Sequence, residues 1–548
     1  MVTSASASTC APYPIPLRIG NISLPNNQIA RGVELSIGEP PQKAAFLPLW
    51  PLNNTLLYGT NGHCQAGVPN PGPWTDDGCT TFRGGAYDFL ASKTRKQAVS
   101  DAFADDKNGD GFIGSPAYPE VTKISDGLRL TSNVTLEDFP LEIALNDWGS
   151  QAYLPMMGLG LGLDSTLLKT LKSSNRILSR SWGFFWGRST PGLPASRQLD
   201  GSLVLGGYDR AKVSGQGFTQ SLVAPGSVSQ CPSQMVVTIS DIVLNFSNGT
   251  NRSIFPSSSS SAMATCLTPS LPALIRLPLD PYFNNMMQLT KESIFRMDRS
   301  TGIYFWNMRY RADHVPYDGD LTISLQSGLS VRIPNEQLVL PHTEIDQTTG
   351  EVLVNTTGPD LVIDSLQAEE ASKFAHLGWQ FFSSAYLMVN QDANQFTLWK
   401  ANPTALEDLV AVGTAAEEIR TWCAKDAQSS GGGGNQPETN GRGSGPNVSS
   451  SGSLSKGAIA GIAVSVLITC CVGTVLGVWL FKRRKSSGVE ADVHPAEEKG
   501  QAVPADGLSN SVMYYQGKSE LQGEDVHYQH LPNYGNEPGT TAKYELPG

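Results

Sequence analysis

The sequence predicts an all-β, turn-rich protein, and three observations support this. The 548 residues exceed the usual size of one domain, which indicates two or three folded units. Glycine (55) and proline (36) are frequent while charged residues make up only 16%, a composition that disfavours disorder and coiled coils. Short apolar runs separated by turn residues fill the chain from about residue 30 to 425. The net charge of −11 argues against nucleic acid as a partner.

The predicted strands are clearest in the runs GVELSIG, SLVLGG, LVLP, EVLVN and QFTLWKA, each bounded by Gly, Pro, Asn or Asp. Helical periodicity is rare. The best example is Ser165–Ser174, where Leu167, Leu168 and Leu171 fall on one face. We therefore expect strands throughout this region and a short helix near residue 170.

One uncharged apolar segment, residues 457–481, is long enough to cross a membrane as a helix. The basic cluster 482–485 follows at once and is expected to stay in the cytoplasm. Two G-x-x-x-G patterns, starting at Gly457 and Gly473, are compatible with helix dimerisation. The sequence predicts a type I single-pass plasma-membrane protein with its N-terminus outside the cell.

Glycosylation sequons and cysteines support this orientation. All the sequons precede the predicted span, and they lie at Asn21, Asn53, Asn133, Asn245, Asn248, Asn251, Asn355 and Asn447. The six cysteines before the span, an even number that suits an oxidising compartment, are Cys10, Cys64, Cys79, Cys231, Cys266 and Cys423. The expected pairs are Cys64–Cys79, Cys231–Cys266 and Cys10–Cys423, although six cysteines allow fifteen connectivities.

The two ends of the chain carry less information. Residues 1–29, an N-terminal extension, contain neither a basic n-region nor an apolar h-region, so we expect a processed start or a truncated gene model. The alternative, an N-terminal domain left in the cytosol, would make the sequons and cysteine pairs meaningless. Residues 426–456 are a Gly/Ser-rich linker, and residues 482–548 form a polar tail that we expect to be disordered. Its tyrosines, including a Tyr-x-x-apolar sorting pattern at Tyr528, suggest a cytoplasmic adaptor as partner.

Four motifs resemble the pepsin-like aspartic peptidases, in order and at suitable spacing. They are GVELSIGEPPQ (Gly32–Gln42), MMGLGLGLDSTLL (Met156–Leu168), DGSLVLGGYDRAKV (Asp200–Val213) and the segment Leu377–Ala401. The chain looks most similar to the membrane-anchored pepsin-like proteins of filamentous fungi. The resemblance implies a bilobal double β-barrel ectodomain, with a first lobe at 30–215, a second at 216–425 and a cleft between them.

The resemblance also implies two catalytic aspartates, one in an Asp-Thr/Ser-Gly loop of each lobe, which share a proton across a bound water. Counting from Gln42 places Leu49 at the first position, followed by Trp50, Pro51 and Leu52 on the expected cleft floor. The second position falls on Pro269, or on Arg276 in a shifted register. No Asp or Glu occurs in residues 40–75 or 242–279, so a small slip in register restores neither acid.

Other candidate sites are weaker. Asp364-Ser365 looks like half of a catalytic triplet, but Leu follows where Gly is required. Asp200-Gly201 is ordinary hairpin chemistry, and Tyr58-Gly59-Thr60 lies too near the first loop to be a flap. Asp106, Asn108 and Asp110 fit half of a calcium loop, but position 12 is an alanine, so we interpret them as a surface turn.

The histidines His63, His314, His342 and His376 are scattered without a local metal-binding motif, and no G-x-S-x-G elbow indicates a Ser-His-Asp triad, although sequence alone leaves a triad open. The expected protein is a pseudo-protease without cofactor that binds or senses a peptide or a cell-wall ligand. Two alternatives remain, an active membrane-anchored aspartic endopeptidase and a structural cell-wall spacer.

Overall fold

The computed structural model describes residues 10–50, 52–60, 74–105, 121–144, 156–189, 194–224, 231–256, 262–291, 297–300 and 307–423. These residues are mostly β-strands with a few short helices, which confirms the all-β prediction. In this part of the chain no helix is long and apolar enough to span a membrane. The predicted span, linker and tail lie outside the described residues, so they stay predictions.

The first half of the chain forms a closed ring of strands with two helices beside it. Its elements are β1 (Ile15–Ser23), β2 (Ile29–Ile37), β3 (Gln42–Leu49), β4 (Thr55–Tyr58), α1 (Asp76–Arg83), β5 (Lys96–Gln97), β6 (Val121–Thr131), β7 (Val134–Ala144), β8 (Met157–Gly160), α2 (Thr166–Ser173), β9 (Ser181–Phe185), β10 (Gly201–Leu205), β11 (Gly207–Asp209) and β12 (Val213–Ser221). The ring runs β2-β3-β8-β4-β7-β6 and closes through a β2–β6 pairing. Closure removes the exposed sheet edges that would otherwise need protection.

The second half is also a β structure, with a larger and a smaller sheet of its own, and its last four strands lie in sheets that also contain strands of the first half. Its elements are β13 (Val236–Asn245), β14 (Asn251–Ser253), β15 (Met263–Leu267), β16 (Ile275–Leu277), α3 (Asn284–Leu289), β17 (Met297–Arg299), β18 (Met308–Tyr310), β19 (Asp320–Leu325), β20 (Ser330–Ile333), β21 (Val339–Ile345), β22 (Val352–Leu361), β23 (Ile363–Ser365), β24 (Ala375–Leu377), β25 (Ala385–Asn390), β26 (Gln395–Ala401), β27 (Leu409–Val412) and β28 (Glu418–Ile419). The larger sheet has the order β20-β19-β13-β15-β24-β16-β23, and the smaller one β17-β18-β22-β21.

The two halves repeat one strand-pairing pattern. In the first half β3 is parallel to β8, β8 is antiparallel to β4, and β4 is parallel to β7. In the second half β15 is parallel to β24, β24 is antiparallel to β16, and β16 is parallel to β23. The loop after β3 and the loop after β15 therefore occupy equivalent places in the two halves.

A shared sheet joins the halves through the order β12-β26-β25-β9-β10-β1. Its central pair, β9 with β25, is antiparallel with Phe184 opposite Leu387, and every residue of both strands is buried. One continuous apolar core extends through both halves, and all described residues belong to one compact unit. Strand β1, which lies within the segment taken as the N-terminal extension, pairs with β10 and β2 and so belongs to the folded unit.

The predicted helix near residue 170 is confirmed as α2. The Ser165 side chain accepts a hydrogen bond from the Leu168 amide at 3.1 Å, which caps the first turn. Leu167, Leu168 and Leu171 are fully buried on the inner face. The leucine spacing was therefore sufficient to predict this element.

Two predicted disulfides are confirmed. Cys231–Cys266 links the segment before β13 to β15, and Cys10–Cys423 joins the two ends of the described chain. Beside the second disulfide, Ala11 pairs with Trp422 in a parallel bridge. Cys79, in α1, is also disulfide-bonded, but its predicted partner Cys64 lies outside the described residues.

Candidate functional site

The first loop of the candidate site follows β3 and contains Leu49, Trp50 and residues 52–54. Backbone hydrogen bonds hold it against the strand β8 and the segment after it: Leu161 N donates to Leu49 O at 2.9 Å and Gly162 N to Leu52 O at 2.7 Å. A Cβ on Gly162 would collide with this loop, so glycine is required for the close approach. Leu49, Trp50 and Leu52 are all buried.

The second loop follows β15 and contains residues 268–274. Thr268 N donates to Leu377 O at 2.7 Å, and Trp379 N donates to Leu271 O at 3.0 Å. A Cβ on Gly378 would collide with the carbonyl oxygens of Leu271 and Ala273. Each loop is therefore fixed by a strand and a glycine of its own half, which makes the two loops structurally equivalent.

Neither loop carries an acid. Leu49 and Pro269, which stand at the two expected aspartate positions, are buried apolar residues. Trp50 and Leu52 are buried beside Leu49, and Pro51 lies outside the described residues. A carboxylate pair sharing a proton is the group that activates water in an aspartic peptidase, and these positions provide no carboxylate.

Arg276, the alternative second position, takes part in a buried ion pair. Its Nε lies 2.9 Å from Asp364 Oδ2, and its Nη2 lies 3.8 Å from Glu370 Oε2. The parallel pairing of β16 with β23 places Arg276 directly opposite Asp364. Asp364, which resembles half of a catalytic triplet in the sequence, is 0% exposed, and the arginine neutralises its charge in the interior.

His376 lies behind the second loop and is held neutral. Its Nδ1 is 3.1 Å from Thr268 Oγ1, and the side chain is buried. Burial, together with the nearby positive charge of Arg276, lowers the pKa of His376 to about 3. An imidazole with so low a pKa is a weak proton acceptor, so it is poorly suited to general-base catalysis at neutral pH.

An aromatic stack involves Trp379, which lies next to the second loop. Trp379 stacks on Trp186 with ring centroids 4.9 Å apart and planes 10° apart, and the Arg31 guanidinium lies 5.1 Å from the Trp186 ring. Arg31 Nη2 also donates to the Trp186 carbonyl at 2.6 Å. Within the described residues, the indole N–H groups of Trp50 and Trp379 are buried and have no hydrogen-bond acceptor.

A buried His-Asp-Ser cluster exists, but its geometry is not that of a catalytic triad. His342 Nδ1 lies 3.0 Å from Asp360 Oδ1 and 3.5 Å from Ser300 Oγ. A triad requires the serine at one ring nitrogen and the aspartate at the other. Because serine and aspartate both contact Nδ1 here, this cluster cannot relay a proton from the serine.

The other sequence candidates lie elsewhere in the described residues. Asp200 Oδ2 lies 2.6 Å from Arg18 Nε just before β10, and the Arg83 guanidinium lies 4.1 Å from the centre of the Tyr58 ring. His314 stacks on Tyr310. The described residues contain no group of three or more His, Cys, Asp or Glu side chains arranged to hold a metal ion.

The predicted glycosylation sites differ in exposure. Asn133, Asn248, Asn251 and Asn355 are exposed, whereas Asn21, Asn53 and Asn245 are only partly exposed. Asn53 Oδ1 accepts a hydrogen bond from the Asp164 amide at 2.9 Å, which fixes this side chain at the first loop. Asn447, His63 and the calcium-like turn at Asp106, Asn108 and Asp110 lie outside the described residues, and their roles stay predictions.

Sequence reasoning missed two features of this site. It treated His342 as a histidine without companions, because Asp360 joins it only through cross-strand pairing of a long hairpin. It also weighed Arg276 and Asp364 separately, although they form one ion pair.

No protein-family model matches this chain, and no curated protein matches it.

Proposed function

We propose that this chain is a single-pass cell-surface glycoprotein whose ectodomain has the bilobal pepsin-like fold, lacks the catalytic dyad and binds an extended peptide or cell-wall ligand between its halves. The duplicated strand pattern, the closed ring of the first half and the sheet shared by the halves support the fold assignment. The span at residues 457–481, with the sequons before it, supports the topology.

One observation carries the pseudo-protease assignment: the two equivalent loops bear Leu49 and Pro269 where the family pattern requires aspartates. The buried carboxyls of the described residues have other partners. Asp364 pairs with Arg276, Asp360 contacts His342, and Asp126 accepts hydrogen bonds from three hydroxyl groups. Water activation by a shared proton therefore has no source at these loops.

The aromatic residues favour a binding role. Trp50 and Trp379 lie at or next to the two loops, and their buried indole N–H groups have no acceptor among the described residues. A peptide in an extended conformation offers carbonyl oxygens at regular intervals, which are suitable acceptors. Because both N–H groups are buried, a ligand reaches them only when the two loops move, and its carbonyl oxygens would then remove the cost of burying unpaired donors.

The test is proteolysis by the purified full chain. We expect no pepstatin-sensitive cleavage of denatured casein at about pH 3–5, where a shared-proton dyad is active. Pepsin serves as the positive control. Pepstatin-sensitive cleavage by the wild type would overturn the proposal. If Asp364→Asn then loses this cleavage and the buried-acid control Asp126→Asn keeps it, Asp364 is a catalytic acid.

A deletion of the tail distinguishes a receptor from a structural spacer. Deleting residues 486–548 should abolish any response of the cell to the ectodomain ligand if the protein is a receptor. An unchanged phenotype would favour the structural spacer, because a spacer needs only the anchored head.

A further inference from the structure

A hairpin of the second half contacts a helix of the first half. The hairpin is β21–β22, and its turn, residues 346–351, lies against the start of α1. Thr75 N donates to Gln347 O at 3.0 Å, and Thr75 Oγ1 donates to Thr348 O at 2.6 Å. Thr75 also caps α1, so the same residue that begins the helix receives the turn.

Two glycines make this contact close. A Cβ on Gly78 of α1 would lie 2.6 Å from the Gln347 carbonyl carbon, which real structures do not show. Gly350, on the hairpin side, has φ = +72°, and a Cβ there would lie 2.6 Å from Asp77 O. Asp346 holds the turn in shape by accepting from the Thr348 and Thr349 amides. The turn and the helix therefore fit together like two matched surfaces.

The hairpin also contains the buried histidine cluster. Register shifts between Leu340 and His342, and this irregularity brings His342 to the same side as Asp360. Ser300 Oγ donates to Asp360 Oδ2 at 2.9 Å, and His342, Asp360 and Ser300 are all buried. The cluster ties the hairpin to the end of β17.

Glu344 extends the cluster toward the turn. It lies two residues beyond His342 on β21, and its Oε2 is 3.8 Å from His342 Nε2. The other groups that face the imidazole are Asp360 from β22 and the positive charge of Arg309 from β18. A protonated His342 thus stands between two carboxylates, whereas a neutral one turns an Nε2 lone pair toward Glu344.

We propose that the β21–β22 hairpin is a pH-controlled strap between the two halves, fastened to α1 while His342 carries its proton and released when His342 loses it. Deprotonation replaces attraction between His342 and Glu344 by repulsion of a lone pair and a carboxylate. Glu344 is three residues from Gln347, so its displacement loosens the turn at α1. The strap is independent of any ligand in the cleft.

The direction of the pH dependence follows from the charges. Burial lowers the pKa of His342, but the hydrogen bond to Asp360 and the nearby carboxylate of Glu344 outweigh it, and the pKa is raised. The nearby imidazole of His342 in turn lowers the pKa of Glu344. The stabilisation is therefore complete below the ordinary histidine pKa of about 6.5 and is lost as the pH rises through the raised value.

Hydrogen exchange of the full chain in detergent micelles tests this proposal. The readout is protection of residues 75–83, which include the Thr75 amide bonded to Gln347, at about pH 6 and about pH 8.5 after correction for intrinsic exchange. We expect exchange to be severalfold faster at the higher pH, because the turn is then released from α1 in a larger fraction of the molecules. Equal protection at both pH values would overturn the proposal.

Four variants sharpen the test. Gly78→Ala should abolish protection at both pH values, while the control Gly127→Ala, whose added Cβ has 3.8 Å of clearance, should behave as wild type. His342→Gln should remove the pH response while the core strands β9 and β25 stay protected. If that variant fails to fold, Glu344→Gln, which keeps the His342–Asp360 pair, should reduce the response. A full wild-type response in Glu344→Gln would refute the strap.

Discussion

Arg276 and Asp364 illustrate how one residue changes the meaning of another. A buried aspartate near a duplicated loop invites assignment as a catalytic acid, but an arginine on the neighbouring strand lies 2.9 Å away. The desolvation of both charges is expensive, and their attraction offsets that cost only while both are present. The ion pair therefore stabilises the second half and is not a source of protons.

Removing one partner of the Arg276–Asp364 pair should lower the free energy of unfolding. Arg276→Met leaves Asp364 buried without its cation, and we expect a loss of about 3–5 kcal/mol in the free energy of unfolding. The double variant Arg276→Met/Asp364→Leu should recover most of that loss, because no charge is then buried. Urea unfolding of the wild type, the two single variants and the double variant completes a double-mutant cycle. A double variant as unstable as Arg276→Met would contradict this account.

At the scale of elements, each loop of the candidate site packs against a glycine that follows a strand of the same half. Gly378 follows β24 and lies beneath the carbonyl oxygens of Leu271 and Ala273. Its amide donates to Leu274 O at 3.0 Å, so the backbone is held from both directions. Any side chain there must push the second loop away from the strand.

Gly378→Ala should therefore destabilise the second half strongly. We expect a cost of about 3 kcal/mol or more, since the obstructing atoms are backbone and cannot rotate away. Gly127→Ala, a matched change in an open place on β6, should cost about 1 kcal/mol or less. Thermal unfolding of both variants measures the difference, and equal melting temperatures would refute this packing constraint.

At the scale of the whole molecule, His376 contributes to the loss of stability in acid. The unfolded chain protonates this histidine below about pH 6.5, whereas the folded protein keeps it neutral down to about pH 3. The unfolded state thus binds more protons in this window, and the free energy of unfolding falls as the pH falls. Asp126 acts in the same direction: burial raises its pKa, but hydrogen bonds from Ser92, Thr94 and Tyr87 lower it further than burial raises it.

His376→Asn should flatten this acid limb. Asparagine Oδ1 can replace Nδ1 as the partner of Thr268 but does not titrate. Between about pH 6 and 4 the wild type should lose up to about 1.4 kcal/mol per pH unit through His376, and the variant should not. Urea midpoints across this range measure the slopes. Identical slopes would show that His376 is protonated in the folded protein.

The sequence predicts local features well and distant contacts poorly. Helix α2 was predictable because three leucines fall on one face of a short segment, and short apolar runs bounded by turn residues located β2, β10 and β26. The contacts of Thr75 with Gln347, and of Arg276 with Asp364, join residues far apart in the chain. They depend on strand register and on how the halves meet, which no local pattern encodes.

The disulfide between Cys10 and Cys423 determines how tension enters the head of this protein. A pull from the C-terminal side reaches Cys423 first and divides there into two routes. One continues along the backbone to β28 and β27, and the other crosses the sulfur bridge to Cys10 and on to β1, inside the shared sheet. Neither end of the described residues can be pulled from the fold alone, so the load is shared between β27, β28 and the shared sheet.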